Sequence, residues 1–318
     1  MPRLSQPNDM RLLDKVSRLY YEQEFSEGEI AGRLHLSRSK VSRLLKKARE
    51  LGVVQITVVS PPGFYPALES GLEKRYGLQE AIVVGVSDPE SSEAVARELG
   101  VVAARHLQQV IREGDVIGIS WGRTLNALIA NLNPSRPMNN HVVQIIGGLG
   151  PPTAEIHATD LCRRMASALN CGLTLLPAPG IVASPQVKQA LLLDRYIQQA
   201  LSLYSSINLA FVGIGAPTPD SVVMRDGSIM NQAELDELLE KGAVGDIALR
   251  FFDAQGRAIC SDLDERVIGI TLEELQRVQC VVGVAGGTEK TAVIRGALLG
   301  GYVNALITDQ STAMNLLE

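Results

Sequence analysis

Two kinds of hydrophobic periodicity divide this chain of 318 residues. Up to about residue 60, apolar residues recur every three or four positions, which is the spacing of amphipathic helices. From Ala81 onward, short apolar runs alternate with stretches of helical periodicity. The first pattern predicts a small helical domain, and the second predicts an α/β domain. Because "PPGFYP" at residues 61–66 breaks the chain, we expect domains at residues 1–60 and 61–318.

The N-terminal pattern predicts a helix-turn-helix. The stretch "MRLLDKVSRLYY" carries one apolar stripe, and Ser26 and Ser37 are good N-caps for the following helices, "EGEIAGRL" and "RSKVSRLLKKARE". These two helices and the turn "HLS" have the spacing of a helix-turn-helix. His35 occupies the turn position where glycine often supplies a left-handed backbone. The β-branched stretch "GVVQITVVS", residues 52–60, predicts a strand or hairpin wing after the third helix.

The outward face of the third predicted helix is basic. Residues 1–60 contain 11 Lys and Arg against 7 Asp and Glu, a net charge of +4, within a chain of net charge -5. A helical bundle with a solvated basic face is one interpretation, and a surface that enters the major groove of double-stranded operator DNA is the interpretation that we favour. The predicted DNA-contacting residues are Ser37, Arg38, Ser39, Lys40, Ser42, Arg43 and Lys46.

Seven apolar runs in the larger part predict buried strands. They are "AIVVGV", "DVIGIS", "VVQIIGG", "LTLLPAP", "INLAFVGIG", "CVVGVAGG" and "VNALITD". Most are followed by helical periodicity, so we expect a doubly wound α/β domain with a mainly parallel sheet. Ligands bind such sheets at the carboxyl ends of the strands, where this chain places several glycines and small polar residues.

The sequence G-x-S-x-G at residues 118–122 has two interpretations. Between a strand and a helix, Ser120 has the context of a hydrolase nucleophile. The same loop, leading into a helix N-terminus, also forms an anion site. Such a hydrolase needs a histidine late in the chain, whereas the last histidine here is His157. We therefore expect no catalytic residues. The one hydrolase alternative that is left is an unusual arrangement in which His141 or His157 serves as the base for Ser120.

An anion site would combine backbone N–H groups at the start of the helix with nearby hydroxyl groups and cations. Lys290, which follows "VAGG", could reach the same phosphate. Asp246, in "AVGDIALRFFDAQG", could accept hydrogen bonds from sugar hydroxyls, or it could cap a helix or turn. Its position in the sequence favours neither role over the other. The residues that we expect at an effector site are Ser120, Gly122, Arg123, Thr124, Gly147, Gly148, Asp246 and Lys290.

Composition excludes several classes of function. The first ten residues are polar, and no apolar run approaches the roughly 20 residues of a membrane span, so we expect a cytoplasmic protein without membrane contact. The four cysteines show no C-x-x-C, and no histidine or aspartate pattern suggests a metal. Neither a P-loop nor a G-x-G-x-x-G motif at a strand end is present, so we predict no cofactor.

Several stretches along the chain resemble the SorC/DeoR-type bacterial regulators of sugar operons. They are "LYYEQ", "IAGRLHLSRSKVSRLLKKARELG", "GDVIGISWGRT", "VVQIIGG", "LPAPGIVASP", "VGIGAP", "AVGDIALRFFDAQG", "DERVIGI" and "VAGGTEK". The resemblance implies an N-terminal helix-turn-helix, an effector domain similar to sugar-phosphate isomerases, a phosphorylated sugar as inducer and a tetramer. It also implies phosphate contacts from the Ser120 loop and Lys290, and a sugar contact from Asp246.

We therefore predict a DNA-binding transcriptional regulator of a carbohydrate-utilisation operon, controlled by a phosphorylated sugar. Contact with two DNA half-sites requires at least a dimer. The alternative is a sugar-phosphate isomerase-like enzyme with an added DNA-binding domain. Such an enzyme would need a positioned base, for which Asp246, Glu289 and Asp309 are candidates.

Overall fold

The computed structural model describes residues 7–56, 61, 63–133, 138–148, 158–217 and 230–318. The chain divides into two compact units, Met1–Ser60 and Pro61–Glu318. The described part of the smaller unit is helical, and that of the larger unit is α/β. No helix in these residues is long and apolar enough to cross a membrane.

The smaller unit contains α1 (Pro7–Tyr21), α2 (Glu27–Leu34) and α3 (Arg38–Glu50). Their apolar stripes meet in a small core that includes Val16, Ile30 and Val41. On α3, Leu45 is buried, whereas Leu44 is only partly buried at the edge of this core. The apolar stripe of α3 therefore meets this core through Val41 and Leu45.

Two serine caps and one left-handed residue define the turn between α2 and α3. Ser26 and Glu29 form a capping box at the start of α2, and the Ser37 hydroxyl accepts a hydrogen bond from the Lys40 N–H at 3.3 Å. His35 ends α2 with φ of 52°, so it adopts the left-handed conformation that glycine adopts more easily.

The predicted strand at residues 52–60 is not formed where the structure describes it. Residues 51–56 are turn, bend and irregular chain, and residues 57–60 lie outside the described residues. Gly52 has φ of 73°, and the Val54 N–H donates to the Ala48 carbonyl at 3.2 Å. The β-branched residues therefore turn back onto the end of α3, since this local hydrogen bond satisfies a carbonyl of its last turn.

The larger unit alternates strands with helices. Its strands are β1 (Glu80–Val84), β2 (Val116–Ile119), β3 (His141–Gln144), β4 (Gly172–Thr174), β5 (Leu209–Val212), β6 (Ala243–Ile247), β7 (Arg250–Asp253), β8 (Cys280–Val284) and β9 (Ala305–Asp309). Its helices are α4 (Pro66–Tyr76), α5 (Ser92–Val110), α6 (Arg123–Ala130), α7 (Ala158–Leu169), α8 (Pro185–Leu192), α9 (Arg195–Ser202), α10 (Gln232–Glu240), α11 (Leu272–Leu275), α12 (Thr291–Leu299) and α13 (Gln310–Leu317).

The seven predicted strands form one parallel sheet in the order β1-β9-β8-β5-β2-β3-β4. Alternate residues of each strand face opposite sides. On β5, Ala210 and Val212 lie in one hydrophobic core, and Leu209 and Phe211 lie in the other. Because both faces are covered by apolar side chains, the strands form continuous hydrophobic runs. The predicted doubly wound architecture is confirmed, and β6 and β7 form a separate antiparallel hairpin.

The direction of chain winding reverses between β2 and β5. From β2 the chain proceeds outward through β3 to β4, whereas β5, β8 and β9 extend in the opposite direction. A crevice opens at the carboxyl ends of strands at such a reversal, and it is the usual ligand site of this architecture.

Candidate functional site

A pocket of about 420 Å³ lies at the carboxyl ends of β2, β5 and β8. Six of the residues predicted at the effector site line it, namely Ser120, Gly122, Arg123, Thr124, Asp246 and Lys290. Ser92, Trp121, Ala248 and Glu289 also line it, although they were not predicted as effector contacts. Residues far apart in the sequence therefore meet where the strand order reverses.

The loop after β2 presents the N-terminus of α6 to this pocket. Gly122 has φ of 129°, which strongly favours glycine, and it precedes the first residue of α6. The first helical hydrogen bond runs from the Asn126 N–H to the Gly122 carbonyl at 2.9 Å, and no side chain among the described residues caps the helix. The N–H groups of Arg123 and Thr124 are therefore not used within the helix, and the helix dipole favours an anion beside them.

Ser120 is buried at the end of β2 and connects two strands across the reversal. Its hydroxyl oxygen accepts a hydrogen bond from the Gly213 N–H at 3.1 Å, and its own N–H donates to the Phe211 carbonyl at 3.2 Å. The hydroxyl proton remains able to donate to a ligand, because a hydroxyl is both donor and acceptor.

The described histidines of the larger unit do not form a catalytic pair with Ser120. In the parallel register, Val116 pairs with His141, so His141 lies beside the start of β2, whereas Ser120 follows the end of that strand. The His141 Nε2 atom lies 2.8 Å from the Thr174 hydroxyl. His106 is buried on α5, 3.8 Å from the Glu80 carboxylate. His157 lies outside the described residues.

Two cations contribute to the pocket from different segments. Arg123 is exposed, and its guanidinium donates to the Ser92 hydroxyl at 3.3 Å. Lys290 donates from Nζ to the Ile214 carbonyl at 3.3 Å. Burial lowers the pKa of Lys290, and the nearby charge of Arg123 lowers it further, whereas Glu289 and Asp246 oppose the shift. An anionic ligand would favour the protonated ammonium.

Asp246 is buried in β6, next to the pocket. Its backbone exchanges two hydrogen bonds with Gly215, at 2.9 and 3.0 Å, which fixes β6 beside the chain that follows β5. Its Oδ2 atom accepts a hydrogen bond from the Leu249 N–H at 3.0 Å. Burial raises the pKa of this carboxyl to about 6, although the Leu249 N–H and Lys290 act in the opposite direction. Asp246 therefore both lines the pocket and caps a turn.

The predicted glycine pair Gly147 and Gly148 lies elsewhere. Their N–H groups donate to the carbonyls of Ile268 and Ala178, at 3.0 and 2.9 Å. A side chain at Gly147 would place its Cβ 2.6 Å from the Ala178 carbonyl oxygen. Gly147 therefore permits close backbone packing, and neither glycine lines the described pocket.

The second candidate site is the outward face of α3. Val41, Leu45 and Ala48 are buried on its other side. All of the predicted DNA-contacting residues are exposed, namely Ser37, Arg38, Ser39, Lys40, Ser42, Arg43 and Lys46. The helix therefore presents hydroxyl groups and cations on one solvent-exposed surface.

Comparison with known proteins identifies relatives along nearly the whole chain. Residues 61–318 match the Sugar-bind family model, which describes a sugar-binding domain. The chain is 36% identical over 304 residues to the deoxyribonucleoside regulator of Bacillus subtilis, covering 96% of each protein. It is 33% identical over 318 residues to the sorbitol operon regulator of Klebsiella pneumoniae, covering 98% of this chain and 99% of the relative. The crystal structure of that full-length regulator, SorC, superimposes with a TM-score of 0.74 and 32% identity, covering 98% of this chain and 100% of SorC.

Proposed function

The chain belongs to the SorC-type family of sugar-binding transcriptional regulators, and from this premise we propose that a phosphorylated sugar binds in its pocket and controls its affinity for operator DNA. The regulated genes would be a carbohydrate-utilisation operon. The observation that carries the proposal is the meeting of the uncapped α6 N-terminus with Arg123 and Lys290 in one pocket. Backbone N–H groups, a helix dipole and two cations together are typical of a phosphate site.

The phosphate would lie against the loop from Ser120 to Thr124. There it could accept hydrogen bonds from the first N–H groups of α6 and from the Ser120 and Thr124 hydroxyls. Lys290 reaches the same pocket from the loop that follows β8. Since Lys290 carries a pKa lowered by burial, a phosphate beside it would offset the cost of its charge.

The sugar would extend toward Asp246. An ionised carboxylate accepts hydrogen bonds from hydroxyl groups, of which a sugar supplies several. The aromatic side chain of Trp121 and the small side chain of Ala248 complete this part of the lining. Together these groups favour a hydroxylated ligand of modest size with an anionic end.

The outward face of α3 would contact the operator. Its cations and hydroxyls can contact phosphates and base edges in the major groove. Two half-sites require a homo-oligomer, and the tetramer implied by the family resemblance is the assembly that we propose.

Two observations argue against the isomerase alternative. Asp309, one candidate base, already accepts hydrogen bonds from the N–H groups of Gly287 and Thr312, at 2.7 and 2.9 Å, and it is buried outside the pocket lining. The relatives compared above are named as regulators. Asp246 and Glu289 remain in the pocket, so the absence of turnover of a bound sugar phosphate should be checked directly.

A thermal-shift screen tests the proposal, because a ligand that binds the folded chain raises its unfolding temperature. The panel should contain pentose, hexose and hexitol phosphates with their unphosphorylated counterparts, because the relatives are named for a deoxyribonucleoside and for sorbitol. We expect one phosphorylated compound to stabilise the protein and its unphosphorylated counterpart to have little effect. Equal stabilisation by the two would contradict a phosphate site.

Variants then locate the ligand. Ser120→Ala should weaken binding of the phosphorylated compound by about 1 to 3 kcal/mol, as expected for a hydrogen bond to a charged group, and Lys290→Ala should weaken it by at least as much. Lys241→Ala is the matched control, since Lys241 pairs with Glu237 and does not line the pocket. Labelling of Ser120 by a fluorophosphonate would instead indicate a nucleophile and overturn the proposal.

A further inference from the structure

The turn between β6 and β7 combines strain with burial. Ile247 pairs with Arg250, so Ala248 and Leu249 form a two-residue turn. Both have positive φ, 53° and 63°, and both are buried. Turns with this pair of conformations favour Asn-Gly, because a side chain with Cβ is strained in the left-handed region. Strain of this kind persists only where surrounding contacts hold it in place.

The Asp246 carboxylate holds this turn on its pocket side. Its Oδ2 accepts the hydrogen bond from the Leu249 N–H, which is the carboxylate's hydrogen-bond donor within the described part of the chain. Ala248 itself lines the pocket beside Asp246. A ligand hydroxyl that donates to Oδ2 in place of the Leu249 N–H would therefore break the hydrogen bond that holds the turn.

On its other side, the turn continues into Arg250, whose side chain is buried. All five of its N–H donors are used. They donate to the carbonyls of Ile270, Asp264, Val267 and Gly269, at 3.1, 3.0, 3.4 and 3.3 Å, and to the Asp264 carboxylate at 2.7 Å. We call residues 264–270 the clamped segment, because one guanidinium binds four of its carbonyls and cannot move independently of it.

The clamped segment contacts three other parts of the larger unit, namely the chain after β3, the chain after β4, and α8. The Ile268 N–H donates to the Gly180 carbonyl at 2.9 Å, and the Ile270 N–H donates to the Ile145 carbonyl at 2.8 Å. On α8, the Lys188 ammonium donates to the Asp264 carbonyl at 3.4 Å. A displacement of Arg250 would therefore be transmitted to the chain after β3 and to α8.

We propose that the Ala248–Leu249 turn is a strained switch, which Asp246 holds closed in the free protein and which opens when a ligand hydroxyl takes over the carboxylate. Opening relieves the left-handed strain and moves Arg250 together with the clamped segment. The strain narrows the gap in free energy between the closed and open states, so that a ligand with higher affinity for the open state can shift the balance between them. The role of the ligand rests on the proposed function, whereas the coupling between the turn and the clamped segment is a property of the chain itself.

Hydrogen exchange in the full chain without ligand tests this coupling. Ala248→Gly relieves the strain of one residue and should stabilise the closed turn. Exchange should slow by about tenfold at the Leu249 amide and also at the Ile268 and Ile270 amides, the factor that corresponds to one left-handed residue with Cβ. Asn170→Gly is the matched control, because Asn170 has φ of 48° in an exposed turn elsewhere. It should leave all three amides unchanged.

Asp246→Ala removes the acceptor and mimics its capture by a ligand, so exchange should become faster at the same three amides. Asp246→Asn keeps an acceptor oxygen, so exchange at these three amides should not become faster than in the wild type. Slower exchange in Ala248→Gly at the turn alone, or at neither place, would overturn the proposal even if Asp246→Ala fails to fold. These exchange experiments use no ligand, so their outcome does not depend on whether the chain binds a sugar phosphate. A failure of the proposed function is therefore distinguishable from a failure of the switch.

Discussion

The outward face of α3 and the pocket at the ends of β2, β5 and β8 both carry cations, but their surroundings are opposite. Arg38, Lys40 and Arg43 are exposed along one helix. In the pocket, burial lowers the pKa of Lys290 and raises that of Asp246 to about 6. Exposed charges act through long-range fields that salt screens, whereas buried charges act through specific partners at short range. Under the proposed function, we therefore expect the first surface to attract a polyanion and the second to select one ligand.

The largest expected difference between the two regions is in how strongly salt weakens their binding. Between 50 and 200 mM salt, operator affinity should fall by about 10³-fold, because neutralised DNA phosphates release counterions. Affinity for the phosphorylated effector should fall by less than about tenfold, since partly buried charges are screened less. Titrations of an operator duplex, an unrelated duplex and the effector over this range would measure both slopes. Equal slopes for DNA and effector would contradict the assignment of an exposed and an enclosed site.

The two regions also differ in how far they could be predicted from the sequence, because one lies on a single continuous segment and the other does not. The caps at Ser26 and Ser37 and the periodicity of α3 are local signals, so the helix-turn-helix and its exposed face followed from a stretch of about 25 residues. The seven strands of the sheet were equally accessible, because fully buried strands form continuous apolar runs.

The pocket was only partly predictable, because segments distant in sequence form it. Ser120 and Lys290 stand at strand ends with glycine, which is a recognisable signal. Gly147 and Gly148 carry the same signal but serve backbone packing. The role of Ala248 depends on the register of the β6–β7 hairpin, and the apolar pattern alone does not reveal a two-residue turn without Asn or Gly.

Replacing the buried Asp246 carboxylate by a neutral group should show how much its charge lowers the free energy of unfolding. The pKa of Asp246 is raised from 3.8 to about 6 in the folded chain, so the folded state is penalised when the carboxyl ionises. The penalty is absent below pH 3.8, grows as the pH rises, and is complete above pH 6. Asp246→Asn should therefore stabilise the protein by about 3 kcal/mol at pH 7.5 and by about half of that at pH 5.

Urea unfolding followed by fluorescence would measure this, because Trp121 is the single tryptophan of the chain and lines the same pocket. The variant should also bind the effector more weakly than the wild type, since it loses the anionic acceptor. A pH-independent difference in stability would indicate that the carboxyl is not responsible.

On the exposed face, removal of one cation should have a smaller effect that salt can modulate. Arg43→Ala should weaken operator binding by about 2 kcal/mol, as expected for loss of a base or phosphate contact. Arg277→Ala, which removes an exposed arginine from the larger unit, is the charge-matched control. A gel-shift titration at two salt concentrations would also assign the contact. A phosphate contact lowers the salt slope by about one, whereas a base contact reduces discrimination between operator and unrelated DNA.

The smallest expected effect concerns the turn that positions the exposed face. His35 adopts φ of 52° at the end of α2, where glycine avoids the steric cost of a Cβ atom. His35→Gly relieves that strain but increases the entropy of the unfolded chain, so the net stabilisation should be only about 0.5 kcal/mol. Hydrogen exchange at the buried Val41 amide would detect it as slightly slower exchange. His35→Ala keeps the Cβ atom and loses the imidazole, so it should show no gain. If the alanine variant were stabilised as much as the glycine variant, the imidazole rather than the backbone would be the source of the strain.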